Sequence, residues 1–583
     1  MTGLRRLTSL LPIAEPPGNC LYVWRSAAVT PLQPRPAPLP SGVGIRRRPS
    51  IDRRAGTRTT GTHSRRRAAY RSAANIAGLL PQPPDDQEKY SYIERHLWVL
   101  TCCSLVSFSC LTLAQLRLMH STHWVWAYLP FLLFTVLHYL VSLSVNAFSR
   151  DFDLRAHRRL RSSWRPAVYP TVDVFLPVCG EPLEVLHNTW THVATMARHY
   201  QGVVTPYVLD DGGNRAVAAM AANFGFVYSS RPHRGWFKKA GNLRYGFHFS
   251  SGAYILILDA DFAPRPDLLD ELLPYMESDR RIAIVQSPQY FRVLDQQSWI
   301  ERGAGAVQEL FYRSVQVSRQ RRDGAICVGS CAIYRRAALR QNGGTTLIAH
   351  SEDVHTGFDL RRLGWDLRYV PIALSTGLCP DTLSAFQTQQ YRWCSGSMSL
   401  LSSKKFWRTK LRLRTRMCYL SGFFYYIHTA LFTFVGPLVP ITLLLAMPGT
   451  LRLQNMKLIV PSLIYTTLIF PMWHKSPYRL EAWATRMMYG WAHTFAIWDS
   501  LRRRQMAWQP TGSSARRNND KTRRFWIGIT VWGGATALVW VGAAFWRMVT
   551  MDPPDYALVL SSGLFYAAIV GRILVQPRKE EAA

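Results

Sequence analysis

Three pairs of carboxylates stand where chemistry could use them. Asp259 and Asp261 flank Ala260 at the end of the apolar run YILIL. In an extended segment side chains alternate, so this spacing puts both acids on one face. Both can then reach one Mg²⁺ or Mn²⁺, a hard cation that takes oxygen ligands and bridges to phosphate. Asp210 and Asp211 end a second apolar run, PYVL, and precede Gly212-Gly213, which permit close approach of backbone to a ligand. A plain strand-to-turn Asp-Gly signal would look the same. Glu352 and Asp353 open a helical segment. One carboxylate there suits a general base near an acceptor hydroxyl, and Asp353 is the candidate; both acids would also favour a helix N-terminus on their own account.

Basic and aromatic residues complete the constellation. RPHRGWFKKAGN places Lys239 ahead of Asn242, and a lysine there can meet phosphate as a mobile point charge. A solvated basic turn would account for the same residues. QQYRW offers Gln389, Arg392 and Trp393. Arginine pairs with pyrophosphate, and an indole face can carry a sugar ring; an amphipathic surface helix anchored by Trp is the competing reading. Gly329 and Ser330 form a tight loop able to floor the acceptor site.

These groups need strands to hold them. VDVFLPV, PYVLD and YILIL read as short buried strands ending in polar or turn residues. Ligands of open α/β sheets bind at the carboxyl ends of parallel strands. Three such ends describe a site for a nucleotide and a divalent cation.

The surroundings are membranous. The chain has 583 residues and a formal net charge of +34. The charge is not accompanied by a nucleic-acid recognition motif and fits anionic lipid and an anionic substrate better. Residues 1–94, rich in Arg, Pro and Ser, are expected to lack fixed structure, and no cleavable signal peptide is expected in them. Residues 95–146 read as a transmembrane hairpin, 147–384 as an α/β catalytic domain, and 385–418 as interfacial amphipathic helices carrying QQYRW. Residues 419–500 read as transmembrane or interfacial helices, 501–524 as a cytoplasmic loop, 525–576 as two more spans and 577–583 as a tail. Basic clusters on both sides of 147–384 place it inside the cell. Since 501–524 is also basic, an even number of crossings must separate the two. Six spans result if 483–498 lies flat, eight if the 419–447 run breaks at its Gly-Pro; six is expected.

In this order the motifs resemble those of the processive family 2 glycosyltransferases, especially bacterial cellulose synthase and its relatives. The matching residues are Asp210-Asp211-Gly212, Asp259-Ala260-Asp261, Ser351-Glu352-Asp353 and Gln389-Gln390-Tyr391-Arg392-Trp393, with Lys239 to Asn242 and Val328 to Ser330. The resemblance implies a GT-A domain inserted between transmembrane helices of an inner-membrane protein whose catalytic domain and N-terminus are cytoplasmic. It implies a UDP-sugar donor with Mg²⁺ or Mn²⁺, inversion, Asp353 as base, and Trp393 as platform for a polysaccharide acceptor exported through the helices. Donor contacts would come from Asp210, Asp211, Lys239, Asn242, Asp259, Gln389, Arg392 and, in the cytoplasmic loop, Thr511. A cellulose-like β-glucan made from UDP-glucose is the leading product. A non-processive transferase acting on a lipid or short glycan, and a non-catalytic transporter or scaffold, are the alternatives. An accessory protein on the outer side is left open.

Overall fold

A computed structural model describes residues 80–121, 123–146, 151–453, 455–502 and 519–575. Thr511, most of the 501–524 loop and the 577–583 tail lie outside the described residues.

The three apolar runs are strands. β1 (Val172–Val178), β2 (Val204–Asp210) and β4 (Tyr254–Ile257) lie side by side and parallel, with β3 (Val227–Ser229) beyond β2. Parallel strands covered on both faces read as unbroken apolar runs, and β1 is buried at every position but Pro177. β6 (Ile282–Gln286), β7 (Ala332–Arg335) and β8 (Asp366–Tyr369) extend the sheet to the order β3-β2-β1-β4-β7-β6-β8. β7 alone runs antiparallel, pairing with β4 on one side and β6 on the other. The chain moves from β1 outward through β2 and β3, then returns to the other side of β1 with β4. That reversal opens a crevice at the carboxyl ends of β1, β2 and β4. The expected α/β domain is therefore present.

Six helices among the described residues are long and apolar enough to cross a bilayer: Leu97–His120, Val125–Asn146, Leu413–Ala446, Met456–Trp473, Arg523–Thr550 and Pro553–Val575. The 34-residue helix Leu413–Ala446 continues through Pro437 and Pro440 without a break. It also begins within the stretch expected to lie at the interface. The helix Leu480–Leu501 is not among the six; it packs against the helices Leu383–Leu401 and Leu413–Ala446.

The segment expected to lack structure through residue 94 is instead built into the fold from residue 80 onward. Lys89 is buried and donates to Asp267 and Glu271, each at 2.6 Å. Glu271, fully buried, also accepts from His157 at 2.6 Å. Arg292 grips Glu88 with two nitrogens, and Arg313 donates to the Glu94 carbonyl. Arg95 pairs with Asp151 at 2.9 Å. The polar composition of residues 80–94 hides this, because their partners lie far away in sequence. Burial opposes ionisation of Glu271, but His157 and Lys89 outweigh it and hold the carboxyl below its usual range. Its stabilisation is thus present at neutral pH and lost only as pH falls through that lowered value. Removing one partner strands buried charge. Glu271→Ala is expected to cost about 3–5 kcal/mol, measured by chemical unfolding of the detergent-solubilised protein.

Candidate active site

The carboxyl ends of the central strands deliver the acids. β2 ends on Asp210, whose carboxylate accepts from the Gly212 and Asn214 amides, both at 2.8 Å, and from the Tyr228 hydroxyl at 2.9 Å. It is fully buried and organises the turn that follows β2. Asp211 meets Arg231 in a two-pronged pair, both contacts at 2.6 Å. Arg231 also donates to the carbonyls of Trp236 and Lys238, which ties the basic loop to the end of β2. Asn242, on the helix Lys238–Phe249, donates to the Leu209 carbonyl at 2.7 Å. Asp210, Asp211 and Asn242 therefore shape the crevice through the backbone.

Lys239 is the hub. Its ammonium is hydrogen-bonded to Asp259 and to the Gly329 carbonyl (3.0 Å) and lies 3.7 Å from Glu352. Burial disfavours its charge, but Asp259, Glu352 and Asp353 together outweigh that and hold it protonated. The Asp259 amide donates to the Ser330 hydroxyl at 2.9 Å, fixing the start of the Asp259–Asp261 motif. Asp261 accepts from the Leu378 amide at 3.3 Å. Burial, with the like charges of Asp259 and Glu181, raises its carboxyl to about 7. Glu181, in the turn after β1, is also raised by burial and by Asp259 and Asp210.

Asp353 enters from below. Ser351 takes a left-handed backbone, φ 54°, and starts the helix Glu352–Arg362. This turns Glu352 and Asp353 into the site rather than toward solvent. Burial and the neighbouring Glu352 push the Asp353 carboxyl up to about 7, against the pull of Lys239. Gly329 sits against it at φ +78°. A Cβ there would fall 2.8 Å from Asp353 Oδ2, in a backbone region that side chains rarely adopt. Gly329→Ala is expected to lower turnover about 100-fold, by displacing Asp353, with UDP affinity changed far less; steady-state kinetics and UDP titration separate the two.

The helix Leu383–Leu401, capped at its N-terminus by Thr382, packs against the helix Glu352–Arg362 and against the helices Leu413–Ala446 and Leu480–Leu501. Arg392 faces the electrostatic field of Glu352, Asp259 and Asp353, and burial lowers its basicity. Gln389 and Trp393 are half-buried on the same helix, and the Gln389 Oε1 has no hydrogen-bond partner among the described residues. The Ser351 hydroxyl reaches the Arg392 carbonyl at 3.4 Å, joining the acidic motif to this helix.

The structure thus gathers Lys239, Asp259, Asp261, Gly329, Ser330, Glu352, Asp353 and Arg392. Two participants were not singled out from sequence. Arg231 stands in the quoted basic loop beside more conspicuous lysines, and Glu181 is one isolated acid in CGEP. Neither has a spacing signature, because Arg231 lies 20 residues from Asp211 in the chain.

Known proteins share these stretches. A family model described as glycosyl transferase family group 2 matches residues 254–473. The UDP-forming catalytic subunit of cellulose synthase 1 from Komagataeibacter xylinus is 34% identical over 274 residues, 46% of this chain and 36% of that protein. The UDP-forming cellulose synthase catalytic subunit of Xanthomonas axonopodis pv. citri is 30% identical over 269 residues, 45% of this chain and 36% of that protein. The matched stretch thus spans little more than a third of either relative's length. Among solved structures, a mannosyltransferase from Pyrobaculum calidifontis in complex with GDP-Man and Mn²⁺ superposes with a TM-score of 0.43 at 14% identity, covering 64% of this chain and 99% of that one.

Proposed function

We propose that this chain is a cellulose-synthase-like family 2 glycosyltransferase that moves a sugar from a UDP-sugar, with UDP-glucose the first candidate, onto a growing β-linked polysaccharide. The observation that carries the reading is the convergence on Lys239: a strand-end aspartate, a glycine carbonyl and a helix-start acidic pair, from separate parts of the chain, meet one ammonium.

In this reading Asp353 takes the proton from the acceptor hydroxyl. The hydroxyl oxygen forms the new bond to the anomeric carbon, on the face opposite the bond to UDP, so configuration inverts. UDP leaves with the bonding electron pair. Lys239 and Arg392 lie where the negative charge of the donor must be met, and Arg231 and Asp211 hold the loop that borders it. Trp393 serves as the platform for the acceptor end.

A divalent cation fits the residues present. The described residues hold no group of three His, Cys, Asp or Glu ligands, but Asp259 and Asp261 supply two oxygen ligands, and Mg²⁺ is commonly held by one or two carboxylates plus substrate phosphates. The crowding that raises Asp261 is what a neighbouring cation relieves. Bound there, Mg²⁺ or Mn²⁺ would neutralise charge developing on the departing diphosphate.

The polymer would leave through the membrane helices, with the catalytic domain on the cytoplasmic side of the inner membrane. The test is incubation of purified protein with a panel of UDP-sugars, followed by linkage and size analysis. High-mass β-linked product is expected from one donor; a single-sugar adduct would instead indicate a non-processive enzyme, and no UDP release from any donor would sink the reading. EDTA is expected to abolish UDP release, and Mg²⁺ or Mn²⁺ to restore it.

A further inference from the structure

A chain of contacts leads from the acidic site into the helices. Tyr426 packs against a buried cluster that includes Tyr391 and Cys394 of the QQYRW helix. Its ring lies 4.8 Å from that of His493, and His493 lies 5.3 Å from Tyr489. Tyr489 accepts from Arg486 Nε at 3.1 Å. Tyr425, on the same wall, is 38% exposed, with its ring 6.1 Å from Tyr489 and 6.0 Å from His493 on the adjoining helix.

Arg486 is the anomaly on this path. Its neighbours are the hydroxyls of Tyr489 and Tyr478 and the rings of Phe470 and Trp483, 5.2 and 5.7 Å from its guanidinium carbon. Among the described residues no carboxylate pairs with it. Arg486 is half-buried; its guanidinium cannot shed its proton, and to the extent that it is withdrawn from water without a counter-ion its charge carries a cost that ring faces offset only in part. A nearby imidazole adds unmet hydrogen-bonding capacity. His493 is fully buried, its Nδ1 is bonded to Thr429 at 2.7 Å, and its Nε2 has no partner among the described residues.

We propose that Arg486, with the Tyr478 and Tyr489 hydroxyls and the His493 imidazole, forms a subsite for an oxyanion, a carboxylate or a phosphate, on the helix that packs against the one carrying QQYRW. The carrier is an acidic sugar of the acceptor glycan or the head group of an anionic lipid. The glycan case rests on the reading that product leaves along these helices. It makes charge on the acceptor a determinant of what the enzyme extends.

The test uses the full chain in phosphatidylcholine nanodiscs and calorimetric titration with two probes: a neutral β-1,4-linked glucose tetrasaccharide, and the same tetrasaccharide carrying one glucuronate. The acidic probe is expected to bind at least tenfold more tightly to the wild type. Arg486→Gln should reduce that advantage below twofold, and Arg486→Lys should keep most of it. For the lipid source, phosphatidylglycerol is supplied during reconstitution from detergent. Its retention by the wild type and loss in Arg486→Gln would assign the oxyanion to a head group. Equal binding of both probes with no retained phosphatidylglycerol, or an acidic preference unchanged in Arg486→Gln, would overturn the proposal. UDP titration of the same samples shows whether each variant is folded. Absence of UDP binding in the wild type would count against the transferase reading, separately from the oxyanion site.

Discussion

Asp353→Asn is expected to reduce sugar transfer by about 10²–10⁴-fold, the usual contribution of a positioned general base, while leaving UDP affinity within a small factor of the wild type. The carboxyl is buried, stands beside Glu352, and lies at the helix start that Ser351 turns into the site. A base works only when deprotonated. With its carboxyl raised to about 7, wild-type turnover should climb as pH rises from 6 to 8 and level above that. The asparagine variant should lose this acid limb together with its activity. The stability sign runs the other way: a carboxyl raised on folding favours the folded state at low pH, and that contribution is lost as pH rises through about 7. Asp353→Asn should therefore melt at or above the wild-type temperature at pH 8. Low activity accompanied by a lowered melting temperature would point to a structural role instead.

Lys239→Met should produce the second large loss, with a different signature. Its ammonium is the cation nearest Asp259, Glu352 and Asp353 together. Removing it leaves three acids facing one another, and an opposite charge at such range typically moves a carboxyl by about 1–3 pH units. Donor affinity and turnover should both fall, and the acid limb of residual activity should move upward by about one unit or more. Lys239→Arg should recover charge but not geometry, since a planar fork cannot reproduce a point contact with Asp259 and the Gly329 carbonyl. A pH profile of Lys239→Met that kept the wild-type midpoint would remove Lys239 from the electrostatics of Asp353.

Much of this site was legible from residue types. Apolar runs ending in acids located β1, β2 and β4, because parallel strands covered on both faces leave an unbroken apolar signature. The spacing of Asp259 and Asp261 marks them as a pair in the sequence, but they stand in a turn after β4, closed by the Phe262 amide on the Asp259 carbonyl, and not in the extended segment that strand alternation assumes. The roles within the pairs were less visible. Asp210 and Asp211 look alike in sequence, yet one is enclosed by its own turn and the other by Arg231. What encloses each carboxylate depends on partners some 20 residues away, Tyr228 for Asp210 and Arg231 for Asp211. The antiparallel β7 was hidden for a related reason: AIYR is four residues long, and its direction is set by what it pairs with. The packed segment after residue 80 was the largest surprise. Its charges read as solvated, and only the fold supplies Asp267, Glu271 and Arg292 to meet them.

Those clasps have a mechanical consequence. Lys89, Glu88, Glu94 and Arg95 fasten the catalytic domain immediately before the first apolar helix begins at Leu97, while the Trp473 indole, where the fourth long helix ends, donates to the Arg95 carbonyl. These contacts pin the domain at the corner where the first and fourth long helices meet it. Under the proposed reading, each ratchet step of a lengthening glycan would then be carried by local shifts around the bound sugar, not by a swing of the whole engine.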